Sequence, residues 1–348
     1  MQPAILENPI QYALKDTPEA GSTRPVAPGI HWLRMPLPFA LSHINLWLLE
    51  SADSWDIVDT GVSNKASRAV WKNVFSEVMR NAPVDRVFVT HMHPDHAGSA
   101  GWLCDELDAD LWMSREEYLL CRILTADTGR ETPSAGIDFY HAAGFPPEAM
   151  ERYQEMFGLF GRFVSPLPDA FTRLKDGDDV EIAGQQWRVV VGRGHSPEHA
   201  CLYSAKNNVL IAGDQLLPRI SSNVSVFPTE PAANPLEEWI ASLGYLKQQV
   251  PEDVLVLPAH GKPFYGAHAR LDQLAHEHES CLDALENLCQ KPQRAVDTFP
   301  ALFKADIRDS NLIMATGESI AHLNYLMEAG RIERHSDDAG VHWYESSN

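Results

Sequence analysis

The spacing of apolar and polar positions changes several times along the chain, and each change predicts an element. From about 30 to 60, short apolar runs (INLWLLE, 44–50; DIVDTG, 56–61) alternate with polar residues in the manner of strands joined by tight turns. Val70, Val74 and Val78 recur at four-residue spacing beside Trp71 and Phe75, predicting an amphipathic helix over 64–80. RVFVT (86–90) then reads as a buried strand, and strand, helix, strand in succession marks an α/β layout. Residues 105–170, rich in Tyr, Met, Phe, Arg and Glu, read as a largely helical insertion broken at TPSAG and GFPP. Strand-like runs resume at FTRLK (171–175), VEIAG (180–184), WRVVV (187–191), ACLYS (200–204), NVLIAG (208–213) and VLVLPAHG (254–261), with a helix over 235–249. Residues 268–290 predict a long helix, and 318–345 a helix, a turn at Gly330 and a hairpin turning at DDAG. Three units follow: a polar, proline-interrupted N-terminal extension over 1–28, a core domain over 29–267, and a C-terminal domain over 268–348.

Most of the histidine-bearing motifs fall where one of these strands ends, the place where open α/β sheets bind ligands. The sharpest is Thr90 to Gly98, THMHPDHAG. If the strand continues through Thr90, His91 and His93 project to one side, and Pro94 turns the chain to bring Asp95 and His96 toward the same space. His195 in GRGHSPEH follows WRVVV, Asp214 closes NVLIAGD, and His260 closes VLVLPAHG.

In these motifs the sequence resembles the metallo-beta-lactamase superfamily, whose HxHxDH signature it matches at His91, His93, Asp95 and His96, with His195, Asp214 and His260 as the later partners. The early Asp59-Thr60-Gly61 also matches, and the resemblance covers about residues 30–266. It implies a four-layer αββα sandwich with two divalent metal ions, zinc first, iron or manganese as alternatives. One ion would take His91, His93 and His195, the other Asp95, His96 and His260. Asp214 would bridge them, and Asp59 would support the site from behind the ligands. Asp95 and Asp214 are the candidate catalytic carboxylates, because a water held between two such ions is deprotonated near neutral pH and becomes the nucleophile.

The resemblance also prunes chemistries. A bridging aspartate is typical of glyoxalase II-like thioesterases, lactonases and nucleases of the family, and is missing from its true beta-lactamases. Histidine at 93 departs from the flavodiiron pattern. The C-terminal domain looks like a winged helix, as in relatives of the beta-lactamase-like protein 2 group.

Composition narrows the partners. A net charge of −20, and seven Lys or Arg against fourteen Asp or Glu over 270–348, is the wrong sign for phosphate contact, so the tail reads as a packing, lid or dimer element. No apolar run approaches the ~20 residues that span a bilayer. The N-terminus lacks a secretory pattern, and five cysteines without a CxxC pair fit reduced thiols, so a cytoplasmic protein is expected. Arg193 could reach an anionic substrate, whereas His199, His276 and His278 do not sit at ligand positions.

The expected function is metal-dependent hydrolysis of a small-molecule ester, first a thioester of acyl-CoA or acyl-glutathione type, second a lactone. The alternatives are an endoribonuclease, a persulfide dioxygenase, and a winged-helix regulatory or scaffold protein with a vestigial metal site. A small molecule is the expected partner, neither nucleic acid nor membrane is, and a second copy of the chain is a candidate.

Overall fold

The computed structural model of the chain describes residues 10–38, 41–304, 306–307 and 311–347. Two seven-stranded sheets pack face to face. The first has the order β2 (Thr23–Ala27), β3 (Ile30–Pro36), β4 (His43–Glu50), β5 (Trp55–Val58), β6 (Val84–Phe88), β7 (Asp110–Met113), β8 (Thr172–Arg173). The second has the order β1 (Gln11–Tyr12), β14 (Phe264–Tyr265), β13 (Leu255–Pro258), β12 (Val209–Gly213), β11 (His199–Ser204), β10 (Gln185–Gly192), β9 (Asp179–Ile182).

Strand alternation builds the layers. Along β10 to β13, Trp187, Val189, Ala200, Leu202, Ile211 and Leu257 face the first sheet, where Trp32, Trp47, Val58 and Phe88 meet them. Their neighbours Val190, Cys201, Leu210 and Val256 face the other way, onto helices α7 (Pro235–Gln249), α8 (Ala267–Leu288) and α10 (Leu312–Glu328). Likewise Leu46 and Leu48 of β4 turn outward onto α1 (Lys65–Asn73), α3 (Ala100–Leu107) and α4 (Arg115–Ala126). The result is an αββα sandwich buried on both faces of both sheets, as its unbroken apolar runs require.

Three sequence expectations change here. Residues 10–28 of the extension are not simply laid on the surface: Gln11–Tyr12 pairs with β14 and Thr23–Ala27 with β3, so the segment supplies an edge strand to each sheet. The first nine residues lie outside the described residues. The stretch 105–170 is helical in α4, α5 (Ser134–Ala142) and α6 (Pro147–Met156), but Asp110–Met113 is a strand of the first sheet, parallel to β6. Finally, β6 stops at Phe88, so the turn after it, rather than strand alternation, sets the directions of His91 and His93.

The C-terminal region carries α8, the short α9 (Phe299–Leu302), α10 and a hairpin of β15 (Ile332–Ser336) and β16 (His342–Ser346), the winged-helix-like outline expected. It is no loose appendage. Ile320, Ala321, Leu323 and Leu326 of α10 share one core with the second sheet.

Candidate metal centre

The first half of the site is built by a short stretch of chain. His93 caps α2 (Pro94–Ala97), Pro94 opens it at a position where proline's missing N–H costs nothing, and the amides of His96 and Ala97 bond back to the His93 carbonyl. This tight turn brings His91 Nε2 to 2.8 Å from His93 Nδ1. Asp59 sits behind it in a left-handed conformation at φ 61°, unusual for a residue with a side chain. Its carboxylate accepts from the Thr90 amide and hydroxyl and from His96 Nδ1 at 2.8 Å, which leaves His96 Nε2 to face the centre.

The second half is assembled from separate loops. Gly194, at φ 98°, has no room for a Cβ, which would lie 2.5 Å from the Pro235 carbonyl, so the turn carrying His195 lies hard against the start of α7. His195 Nδ1 donates to the Asn223 carbonyl at 2.7 Å, and His260 Nδ1 to the His43 carbonyl at 3.0 Å. The His260 loop is tied to the first sheet by buried Asn45, whose amide group donates to Pro258 and Gly261 carbonyls. The Asp214 amide donates to His199 Nε2 at 3.0 Å.

All seven sequence-predicted residues converge. His91, His93, His195 and Asp214 offer ligand atoms within 4.8 Å of one another, and so do Asp95, His96 and His260. Asp214 faces both groups: its Oδ2 is 3.5 Å from His195 Nε2 and from His96 Nε2, and its Oδ1 is 3.6 Å from His260 Nε2. Asp95 Oδ2 lies 3.3 Å from His260 Nε2.

The polar atoms themselves test whether a cation fits. His96 Nε2, His195 Nε2, His260 Nε2 and Asp214 Oδ1 are buried without a hydrogen-bond partner, although each sits among polar neighbours. Buried polar atoms are ordinarily satisfied, so four orphans aimed at one space call for an occupant. In each of these histidines Nδ1 is held by an acceptor, which leaves Nε2 as the ligand atom. Burial and the surrounding histidines push His91 well below the usual imidazole range and His93 down to about 3, so both are neutral ligands. Burial would lower His96, but Asp59, Asp214 and Asp95 outweigh it and raise it. Burial would raise Asp214, but His260 and His96 outweigh it and hold it ionised. Neutral His91 and His93 beside the ionised Asp214 carboxylate suit a divalent transition metal, whose charge would take the place of the protons that the carboxylates otherwise draw onto His96 and His260.

The pattern of the Metallo-beta-lactamase superfamily matches residues 41–260, which span this whole centre. The chain belongs to that superfamily. A second pattern, the metallo-beta-lactamase-like C-terminal domain, matches residues 282–347. Among solved structures, a beta-lactamase domain protein from Burkholderia ambifaria is 41% identical with a TM-score of 0.89, over 97% of this chain and 98% of that one. A metallo-beta-lactamase family protein from Thermus thermophilus is 29% identical with a TM-score of 0.75, over 92% and 99%. The Bacillus subtilis (strain 168) protein named "Probable metallo-hydrolase YqjP" is 24% identical over 84% of this chain and 91% of its own length.

Three groups support this superfamily centre: His199, read from the sequence as no ligand and not one here, and Glu117 and Glu318, which motif reading passed over. His199 lies against His91, the two rings tilted by 31° with centroids 4.7 Å apart. Glu117, buried in α4, accepts from the Met92 amide at 2.9 Å and the Glu198 amide at 2.8 Å, joining the two ligand-bearing loops. Glu318 of α10 accepts from Asn223 Nδ2 at 2.7 Å, on the residue whose carbonyl holds His195. Arg193 is not poised for an anion. Its guanidinium donates to the Pro197 carbonyl at 3.0 Å and lies 3.9 Å from Glu116 and 3.8 Å from Glu198.

Proposed function

We propose that this superfamily member is a binuclear metal-dependent hydrolase acting on a small-molecule ester, a thioester first and a lactone second. The observation that carries the reading is the set of four buried, unpartnered ligand atoms converging on one space, with Asp214 turned toward both groups. His91, His93 and His195 would hold one ion, Asp95, His96 and His260 the other, with Asp214 between them. Divalent ions there, zinc or else iron or manganese, supply the acidity that deprotonates water near neutral pH and polarises a carbonyl.

The chain's own residues do the rest. Asp59 and the Asn223 and His43 carbonyls fix the imidazole orientations, so the site is organised before substrate arrives. Asp95 and Asp214, held ionised, would offset the charge of the ions and accept hydrogen bonds from a water between them. Side-chain nucleophiles are poorly placed: burial pushes the thiols of Cys104 and Cys121 up to about 12 and that of Cys201 up further, so none is a thiolate at neutral pH.

Elemental analysis after reconstitution with Zn²⁺, Mn²⁺ or Fe²⁺, run beside a panel of thioesters, lactones, beta-lactams and single-stranded RNA, tests the reading. About two ions per chain and thioester turnover are expected. Absence of bound metal refutes it, and turnover of RNA alone replaces it with a nuclease.

A further inference from the structure

Beside the centre runs a cleft of about 500 Å³ that opens on His195 and on Met92, the residue between His91 and His93. That volume is within the range of small-molecule sites. One wall is apolar, made by Met92, Leu119, Leu120, Ile123, Val226 and Phe227. Leu119, Ile123 and Phe227 are 50%, 58% and 47% exposed, which for large apolar side chains gathered at a candidate active site marks a contact surface awaiting a ligand. The rim is acidic. Glu116, Glu230 and Glu238 line it, and Arg193, its one cation among the described lining residues, is occupied by the Pro197 carbonyl and flanked by Glu116 and Glu198.

We infer that this cleft binds the hydrocarbon chain of an acyl ester whose leaving group is neutral or cationic, and disfavours polyanionic carriers. The inference rests on the hydrolase reading and narrows its substrate class. An acyl chain laid over Ile123, Leu119 and Phe227 would leave its carbonyl at the His195 end of the cleft, beside the candidate metal ligands. Each methylene buried there is removed from water, so affinity should climb with chain length. The carboxylate rim repels phosphates, and that repulsion is long-ranged only at low ionic strength. A carrier such as coenzyme A would bring its phosphates to this rim.

The test uses the full-length, metal-loaded protein with S-acetyl, S-butanoyl and S-octanoyl N-acetylcysteamine, and with octanoyl-CoA, which shares the thioester and acyl chain but carries an anionic head. From acetyl to octanoyl, kcat/KM should rise at least about tenfold. Octanoyl-CoA should be turned over about tenfold less efficiently than its neutral counterpart in low salt, with the gap closing as salt is raised. Ile123→Glu, at an exposed position that folding tolerates, should flatten the chain-length series. Calorimetry with the uncleavable S-octyl thioether of N-acetylcysteamine reads the cleft without turnover, and it should bind more tightly than the S-ethyl compound, a difference lost in Ile123→Glu.

If the thioether shows that preference while no ester is cleaved, the cleft stands and the hydrolase reading falls. If esters are cleaved without chain-length dependence, or octanoyl-CoA is preferred at low salt, the cleft assignment is overturned and the hydrolase reading survives.

Discussion

The two halves of the candidate metal centre are supported in different ways. The half carrying His91, His93, Asp95 and His96 comes from six consecutive residues and is braced by Asp59 at the end of the neighbouring strand β5. The side carrying His195 depends on the connection between β12 and α7, and that connection is gripped along its length by the C-terminal region. Arg270 of α8 donates to the Leu217 and Ile220 carbonyls, and His278 lies 3.2 Å from the Ser221 hydroxyl. Glu318 holds Asn223, the Val226 amide donates to the Gly317 carbonyl, and Asn324 donates to the Ala233 carbonyl. One half is a local turn, and the other is a loop cast on a mould supplied by the tail. The C-terminal region thus packs along the loop that positions His195.

Where the halves meet, the largest effect is expected. Asp214→Ala should lower turnover by roughly a thousandfold, in line with removal of a central electrostatic group, and elemental analysis should show both ions retained poorly. Normal turnover would show that Asp214 does not join the halves.

The supports should separate them. Asp59→Ala should weaken metal retention by about 10–100-fold, chiefly at the group containing His96. Glu318→Ala should act on the other group through Asn223 and His195, nearer the lower end, about tenfold. Glu318→Gln keeps an acceptor for Asn223 Nδ2 and should restore most of that loss. Metal titrations in which both alanine variants weaken the same ion would erase the distinction, and a Gln variant as poor as Ala would remove Asn223 from the account.

The mould has its own pH dependence. His278 and His322, 3.3 Å apart between α8 and α10, are pushed down to about 3 and about 4, each first by burial, and His278 further by His322. Both are neutral when folded but bind protons when unfolded below about 6.5. Their contribution is therefore complete above pH 6.5 and is lost as pH falls from there through 4 toward 3, by an amount on the order of several kcal/mol. Denaturant melts of wild type and His322→Gln across that window should show a shallower acid loss in the variant. Equal slopes would mean that other groups govern it.

Smallest of all is the expected effect on RNA. RNA affinity is expected to be weak and salt-sensitive, and because Arg331 is spent on Glu286 and Asp283, Arg331→Ala should leave it unchanged. Submicromolar binding at physiological salt that falls in this variant would restore a nucleic-acid role to the tail.

The same contrast explains what could be read from the sequence. The turn at 91–96 is legible because its ligands are contiguous. His195, Asp214 and His260 are legible because each follows an apolar strand, and α7 shows its bounds because Asn234 caps it ahead of Pro235. Glu117, Asn223, His199 and Glu318 leave no local mark, since Glu318 meets Asn223 across 95 positions and Glu117 meets Glu198 across 81. The strand Asp110–Met113 hides between two helices because four residues, of which only Leu111 and Met113 are buried, are too few to show a period. The edge strands of the extension hide for a related reason: two-residue β1 and proline-bearing β2 carry little apolar signal.

The pairing of β1 with β14 sets an order of events during synthesis. Gln11 leaves the ribosome long before its partner Tyr265 has been made. At ~5–20 residues per second, the interval between them is on the order of 10–50 s. Throughout it the growing edge of the second sheet stays open, and the loop that seats His195 waits longer still, until α10 emerges. A nascent chain of this protein passes through a stage with the contiguous turn, four of the seven candidate ligands, made and its distant counterpart not yet seated.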